Sequence, residues 1–269
     1  MVMSWVAVVL GVLQGILEWL PVSSQGQLSL AMMYLFKIDA NQVLDFSVFL
    51  HIGTLLAVTL YLRSDILNLL RKLPDYRFGY ANQQNRLVSF LLFATILTGA
   101  VGYPLYRLLH TTAPLTGEAF IALIGVALIV TGLVQKYAKV RGARETADLN
   151  LKDTVLLGVA QGFSVIPGIS RSGTTTSFLI FRKFSSEEAL RLSFLMSIPA
   201  VLIAEIGLAL LGGLPTISLL EALTSLAFSF LFGLLSIHVL MKIARKIRFW
   251  AFCVLLGILA LLPLLGYLQ

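Results

Sequence analysis

The chain has 269 residues, of which 58% are hydrophobic and only 12% charged, and its mean hydropathy is +0.91. Soluble domains carry about 25% charged residues. A chain with so few cannot present a water-facing surface, so lipid is the solvent for most of it and the membrane bilayer is its first partner. The net charge of +7 reads as basic loops flanking membrane spans, not as a footprint for nucleic acid, and no nucleic-acid partner is expected. The single cysteine, Cys253, cannot form an intrachain disulfide. No polar linker separates two soluble units, so residues 1–269 are expected as a single membrane domain.

The N-terminus is apolar almost from Met1 and lacks the basic start and small-residue cleavage site of a removed signal peptide. Residues 2–20 are long enough to cross a membrane, but Pro21-Val22-Ser23-Ser24-Gln25-Gly26-Gln27 interrupts, and only a short apolar stretch (28–36) follows. Further along, 154–166 is short, Pro167-Gly168-Ile169-Ser170-Arg171-Ser172-Gly173-Thr174-Thr175-Thr176 interrupts, and another short piece ends at Phe181. A crossing helix needs roughly 20 apolar residues. Six other segments meet or approach that length: about 44–62, 87–109, 117–135, 192–213, 216–241 and 249–269. Backbone that leaves the helix at membrane depth must be buried in protein or line a wet cavity. The two interrupted regions are therefore expected as re-entrant hairpins with their tips inside the fold.

The hairpins resemble each other. Gly11-Val12-Leu13-Gln14-Gly15 is matched by Gly158-Val159-Ala160-Gln161-Gly162, and each is followed by a proline and a serine-rich turn containing glycine. Each half then reads as one hairpin and three spans. The basic residues Arg63, Arg71, Lys72, Arg77 and Arg86, then Lys136, Lys139, Arg141, Arg144 and Lys152, then Arg182, Lys183 and Arg191, then Lys242, Arg245, Lys246 and Arg248 all fall on one side, expected to be cytoplasmic. Three spans per half invert the second repeat relative to the first. The expected fold is an all-α integral membrane protein of two inverted-topology repeats, each a re-entrant helical hairpin plus three transmembrane helices. Repeat one covers about 1–135, a basic cytoplasmic loop 136–153, and repeat two about 154–269. Both termini are expected outside. Inverted repeats with broken helices place a binding site near the repeat interface.

Two clusters carry chemistry. Gln14 and Glu18 are four apart and share a helix face; an acid in an apolar helix is by default a functional hypothesis. Ser23 and Ser24 follow in the turn. Arg171 stands between Ser170 and Ser172, with Gly173 and Thr175 just after. A buried arginine needs an anion, and its planar fork of donors suits phosphate oxygens; serine and threonine hydroxyls and the N–H groups opening the next helix would complete a cradle. The bland alternative is a structural Arg171–Glu18 pair. A Walker P-loop is excluded, because no lysine stands in the required place.

These residues resemble the signature motifs of the undecaprenyl-diphosphate phosphatase family, also called the bacitracin-resistance family: Gln14-x-x-x-Glu18, Pro21-Val22-Ser23-Ser24, and Pro167-Gly168-Ile169-Ser170-Arg171-Ser172-Gly173-x-Thr175. Leu50-His51-Ile52-Gly53-Thr54-Leu55-Leu56-Ala57-Val58 and Ser193-Phe194-Leu195 are similar to that family too. The resemblance implies an enzyme that removes the terminal phosphate of a polyprenyl (undecaprenyl) diphosphate on the outer face of the membrane, recycling the lipid carrier for cell-envelope glycan synthesis. It implies Glu18, Ser24 and Arg171 as catalytic residues, with Ser24 as nucleophile. Ser23, Gln27, Ser170, Ser172, Gly173 and Thr175 are implied around the substrate. A divalent cation, Mg2+ or Ca2+, is implied at Glu18 and Gln14, and both ions prefer oxygen ligands. A homodimer is left open. One position departs from the pattern: the family turn usually ends in histidine where this chain has Gln27, and glutamine cannot move a proton near neutral pH. Of the histidines present, His51 is expected in helix packing or a hydrogen bond, His110 at an interface and His238 in a structural role; Glu205 has no evident partner. The alternatives are a polyprenyl-phosphate transporter or flippase and a non-catalytic lipid-diphosphate binder.

Overall fold

The computed structural model describes residues 4–38, 40–80, 83–112, 117–138, 142–210, 215, 217–243 and 249–265. Both chain ends, Lys139, Arg141, Arg245, Lys246 and Arg248 lie outside the described residues, as does the side chain of His110. Among the described residues the fold is helical and has no strand beyond one isolated bridge, Arg144 to Phe184.

The first hairpin is α1 (Ser4–Leu17), a turn, α2 (Ser24–Leu30) and a π-helical extension Ala31–Leu35. Then come α3 (Ala40–Phe49), α4 (His51–Tyr61), α5 (Arg63–Lys72), α6 (Gln83–Thr112) and α7 (Gly117–Tyr137). The second hairpin is α8 (Leu151–Gly162), a turn and α9 (Arg171–Phe181), followed by α10 (Ser186–Leu210), α11 (Leu219–Ile243) and α12 (Phe249–Leu265). The order therefore matches the reading of two interrupted segments among longer helices. The interruptions are shorter than expected, since Ser24 and Arg171 already belong to the helices that follow.

Among the described residues, four helices are long and apolar enough to cross a membrane: Asn85–Leu109, Ala119–Tyr137, Ser186–Gly207 and Leu219–Lys242. The chain is a multi-pass membrane protein. The expected span 44–62 differs in two ways. It hitches at Leu50, whose carbonyl accepts the Ser229 hydroxyl of α11 at 2.9 Å. It then bends by 76° into Arg63–Asp75. The basic stretch that starts at Arg63 thus begins with α5, an amphipathic helix. Its apolar residues Ile66, Leu69, Leu70 and Leu73 recur at helical spacing, and Arg71 and Lys72 close its last turn, where they complement the helix dipole. Such a helix suits the membrane interface. The last segment is described as a 17-residue helix, short of a full crossing by length.

Helix packing explains the repeated glycines. A Cβ on Gly11 would stand 2.4 Å from the Ser225 carbonyl oxygen, and one on Gly15 2.7 Å from the Gly233 amide, both in α11. A Cβ on Gly158 would stand 2.8 Å from the Ala94 carbonyl oxygen, and one on Gly162 2.6 Å from the Val101 Cβ, both in α6. Glycine costs a helix roughly 1 kcal/mol relative to alanine. In lipid that loss is offset by close backbone approach, the main source of helix association there. Hydroxyls reinforce each seam: Ser236 donates to the Gly15 carbonyl at 2.7 Å and Thr98 to the Gly158 carbonyl at 3.1 Å. The repeated Gly-x-x-Gln-Gly motif is thus a pair of seams, α1 on α11 and α8 on α6. A third seam joins α7 to α12, where a Cβ on Gly125 would meet the Gly257 carbonyl oxygen and a Cβ on Gly257 the Gly125 carbonyl oxygen.

The basic segments meet at one end of the bundle. Arg86 donates to the Ala147 carbonyl. Arg144 and Arg182 clamp the buried Asp153 at 2.7 and 2.6 Å. Arg191 pairs with Asp65 and Glu188. Met241, at the end of α11, lines a pocket with Glu145 and Arg191 at this same end.

Candidate active site where the hairpin tips meet

Each tip is a capped helix start. The Ser23 hydroxyl accepts the Gly26 N–H at 3.3 Å, and the Ser170 hydroxyl accepts the Gly173 N–H at 3.0 Å, the N-cap arrangement that satisfies a free helix donor. Ser23 adopts φ 61°, in the left-handed region, a strain of about 1–3 kcal/mol of the kind found at functional sites. Its hydroxyl also accepts the Gly168 N–H of the other tip at 3.1 Å, and Ser172 donates across to the Leu20 carbonyl at 3.0 Å. Gly168, at φ 102°, supplies a turn that a side chain would oppose.

Neighbouring helices satisfy the remaining tip backbone, as membrane depth requires. Gln135 of α7 donates to the Pro21 carbonyl at 2.5 Å, and the Cys253 thiol of α12 approaches the same oxygen at 3.3 Å. Thr131 of α7 donates to the Gly168 carbonyl at 3.0 Å and accepts the Ser170 N–H at 3.1 Å. The two tips are thereby held against each other and against the α7–α12 seam.

Glu18 stands at the centre. It is the first residue past α1, not inside the helix as expected, although its N–H still bonds the Gln14 carbonyl at 3.0 Å. Its Oε2 accepts from Gln14 Nε2 at 3.0 Å and from Ser24 Oγ at 2.6 Å, and faces His51 Nε2 at 3.1 Å. Its Oε1 accepts from Arg171 Nη2 at 2.5 Å. The structural pair Arg171–Glu18 thus exists and ties the two tips together. Arg171 also lies over the Trp19 ring, 5.5 Å from its centroid, within cation–π range, and its Nη1 approaches the Ser193 carbonyl at 3.4 Å. The guanidinium has five N–H donors, so donors remain for an anion.

A cavity of about 310 Å³ opens above this cluster, in the size range of small-ligand sites. Glu18, Ser23, Ser24, Ser170, Arg171 and Ser172 line its floor. Its walls are α6 and α10, including Gly99, Gly102 and Tyr103 on one side and Ala200, Ala204 and Gly207 on the other. The other residues expected around the phosphates stand elsewhere. Thr175 is fully buried, bonded to the Arg171 carbonyl at 2.8 Å and the Ser193 hydroxyl at 2.6 Å. Gly173 packs near Ser170 and Gln135. Gln27 donates to the Val22 carbonyl at 3.3 Å. None of these three lines the cavity, whereas Gln25 does.

The pair expected to hold a divalent cation does not fit one as arranged. Both Glu18 oxygens are taken, and Gln14 turns its N–H, not its oxygen, toward Glu18. Among the described residues no three His, Cys, Asp or Glu side chains are grouped to hold a metal ion. Charge at Glu18 is balanced by Arg171, with His51 beside it.

Two further residues line the cavity, and the hydrogen bond expected of His51 is made to the central carboxylate. Glu205 also lines the cavity, and its two oxygens are buried without a hydrogen-bond partner among the described residues. Its position as an acid inside a span was the available signal; for His51 the signal was its place in an apolar helix.

A family model described as "Bacitracin resistance protein BacA" matches residues 7–262. The chain belongs to this family. A protein of Methanococcoides burtonii named undecaprenyl-diphosphatase is 44% identical over 260 residues, covering 96% of this chain and 97% of its own length. Proteins of the same name from Methanothrix thermoacetophila and Haloarcula marismortui are 42% and 39% identical, each over about 95% of this chain and 94% of its own length. For this BacA-family chain the comparisons span both hairpins and all the helices between them.

Proposed function

We propose that this chain hydrolyses the terminal phosphate from a polyprenyl diphosphate, with undecaprenyl diphosphate as the substrate carried by its relatives' name. The observation that carries this reading is the Glu18 carboxylate, which accepts the Ser24 hydroxyl on one oxygen and the Arg171 guanidinium on the other at the floor of a cavity between membrane helices. Arg171, Ser170, Ser172 and Ser23 hold the diphosphate. Ser24 is aligned to lose its proton to Glu18 as its oxygen attacks the terminal phosphorus. Such a site works chiefly by positioning and by placing charge where the transferring group develops it.

The remaining cavity suits the rest of the molecule. Its walls belong to two membrane spans, Asn85–Leu109 and Ser186–Gly207, so the gap between them leads the prenyl chain into lipid. Among the described residues, a Cβ on Gly99 or Gly207 would meet no atom within 4 Å. The cavity is complete within one chain, so the reading does not require a homodimer. A divalent cation, Mg2+ or Ca2+, is proposed to arrive with the diphosphate, whose oxygens supply the hard ligands that the committed oxygens of Glu18 do not.

The packing supports two inverted repeats. The seams α1–α11 and α8–α6 exchange the halves, and α7–α12 joins equivalents. Gly11 and Gly15 advance along α11 in the direction of Ser225 to Gly233, and Gly158 and Gly162 along α6 from Ala94 to Val101. α6 leaves the basic end, where α11 arrives, so α1 and α8 run oppositely. With the basic end cytoplasmic, the first hairpin enters from outside, the second from inside, the cavity faces outward, and both termini are outside. A reporter fused to the C-terminus that signals from the cytoplasm contradicts this orientation.

The decisive test of function is phosphate release from a polyprenyl diphosphate by the purified protein in detergent, with and without a chelator. Wild type releases phosphate and Ser24→Ala loses about 10²-fold or more, the scale of an acid–base step. Binding without release by wild type identifies a lipid-diphosphate binder or carrier instead.

A further inference from the structure

We infer that His51 holds the proton of this site, in the place left without one by Gln27, and exchanges it beside Glu18. The inference rests on the hydrolase reading above.

The geometry counts the proton. His51 Nδ1 lies 2.7 Å from the Ser47 carbonyl oxygen. A carbonyl only accepts, so Nδ1 carries a hydrogen. The other ring nitrogen, Nε2, stands 3.1 Å from Glu18 Oε2. In a neutral ring with hydrogen on Nδ1, Nε2 offers a lone pair, and two lone pairs would face each other. A proton therefore lies between Nε2 and Oε2, either as imidazolium donating to carboxylate or as carboxyl donating to imidazole. Ser47 fixes the ring so that Nε2 alone serves Glu18, the usual way a second hydrogen bond sets a histidine's working nitrogen.

The surroundings suit exchange of that proton. The His51 side chain is 17% exposed and that of Glu18 only 4%, so of the two the ring is the more open to the cavity. Gln27, at the position of the family's usual histidine, bonds its own turn and does not line the cavity. Across the cavity Glu205 is buried, has no hydrogen-bond partner among the described residues and lies within electrostatic reach of His51. Arg171 stands on the other oxygen of Glu18.

The step balances as follows. The Ser24 oxygen forms a bond to the terminal phosphorus, and its proton passes to Glu18 Oε2. The bond from that phosphorus to the bridging oxygen breaks, and its electron pair stays on the leaving monophosphate. The His51 proton, released from the same Oε2, goes to the leaving monophosphate directly or through cavity water. Glu18 then returns its proton to Nε2; water attacks the phosphoserine phosphorus and gives its proton to Glu18, the bond from phosphorus to the Ser24 oxygen breaks, and Glu18 passes that proton to the Ser24 oxygen as inorganic phosphate leaves.

The test compares His51→Gln with His51→Ala and wild type, all purified in detergent and checked for intact elution and unchanged thermal unfolding. Glutamine can present an N–H to Glu18 but cannot exchange a proton. If His51 holds the proton, kcat falls about 10²-fold in both variants while KM stays within about twofold. If His51 only braces Glu18, His51→Gln turns over like wild type, and the inference is overturned. Should either variant misfold, single turnover of wild type in mixtures of H2O and D2O decides: a curved dependence on deuterium content, the mark of two protons moving, supports a His51 proton beside that of Ser24, and a linear one, the mark of a single proton, overturns it. A wild type that releases no phosphate at all refutes the hydrolase reading instead, and is thereby told apart from a failure of this one.

Discussion

Ser23 caps α2 and Ser170 caps α9, and each takes the N–H of a glycine three residues on. The residue after the cap is Ser24 in one tip and Arg171 in the other. The frames match, Ser23-Ser24-Gln25-Gly26 and Ser170-Arg171-Ser172-Gly173, and the chemistry differs. The legs that lead in differ as well. Gln14 donates to Glu18, while Gln161, at the matching place in the second hairpin, donates to the Thr98 hydroxyl at 3.1 Å. Four residues after Gln161 stands Val165, not an acid. Two identical tips would have set acid against acid, or arginine against arginine, and an unpaired buried charge costs several kcal/mol. Because the tips differ, one supplies a hydroxyl and a carboxylate and the other supplies the cation.

The sharpest way to break this division is at its ion pair. Arg171→Ala leaves Glu18, whose side chain is 4% exposed, without its principal counter-charge; the expected cost is about 3–5 kcal/mol of stability together with loss of turnover. That variant alone cannot separate folding from function. Arg171→Lys keeps the charge but loses the planar fork, and Glu18→Gln keeps the shape. Each is expected to fold and to lose about 10²–10³-fold in kcat, measured as phosphate release beside thermal unfolding. Near-normal turnover in either removes its residue from the mechanism.

The two glutamines test the same contrast through stability. Gln14→Ala removes a hydrogen bond to a charged group, worth about 1.5–3 kcal/mol, and Gln161→Ala a neutral one, worth about 0.5–1.5 kcal/mol. Thermal unfolding should rank them in that order, with turnover falling more in Gln14→Ala. Equal losses would mean that the hairpins are used alike.

Much of this was legible because polar residues at membrane depth are costly and so stand out. Pro21 to Gln27 and Pro167 to Thr176 mark the tips in an otherwise apolar chain, and the Gly-x-x-Gln-Gly motifs mark the seams. The sequence does not show how far the helices reach into the polar stretches, so Gln27 was expected in a turn facing the substrate. In the structure it lies on α2 and turns to its own backbone. The amphipathic helix α5 was masked by the charges that anchor it. The contact of His51 with Glu18 joins separate helices, and no local spacing encodes it. Thr131, Gln135 and Cys253 are polar or polarisable residues in apolar runs, yet their partners are main-chain carbonyls and amides that a residue pattern leaves unmarked.

The walls of the cavity differ in the same manner as its floor. Between α4 and α11 the contact is closed, with a Cβ on Gly53 only 2.6 Å from Ser229 Cβ, whereas Gly99 on α6 faces open space. Gly99→Leu should therefore fold normally and obstruct the gap. Loss of two methylene contacts, at about 0.8 kcal/mol each, corresponds to roughly tenfold in kcat/KM for a long-chain prenyl diphosphate. A short-chain prenyl diphosphate should be turned over as by wild type. An equal effect on both would place the chain path elsewhere.

The smallest expected effect belongs to Gln27, where the resemblance read from the sequence implies a histidine. Gln27→His restores the familiar residue to the turn, and if the site lacked a proton carrier this change would raise turnover. The structure gives a reason to expect almost none, less than about twofold, because a histidine already stands on Glu18 and a single positioned acid or base supplies most of what such a group can. The new ring would also give up the bond that Gln27 makes to the Val22 carbonyl, loosening the tip whose Ser23 holds a strained backbone. A clear rise in kcat would show that the proton is limiting at the first tip and that His51 does not meet the need. An unchanged rate in Gln27→His, beside a large loss in His51→Gln, would show that this chain keeps its histidine on α4 instead of in the turn.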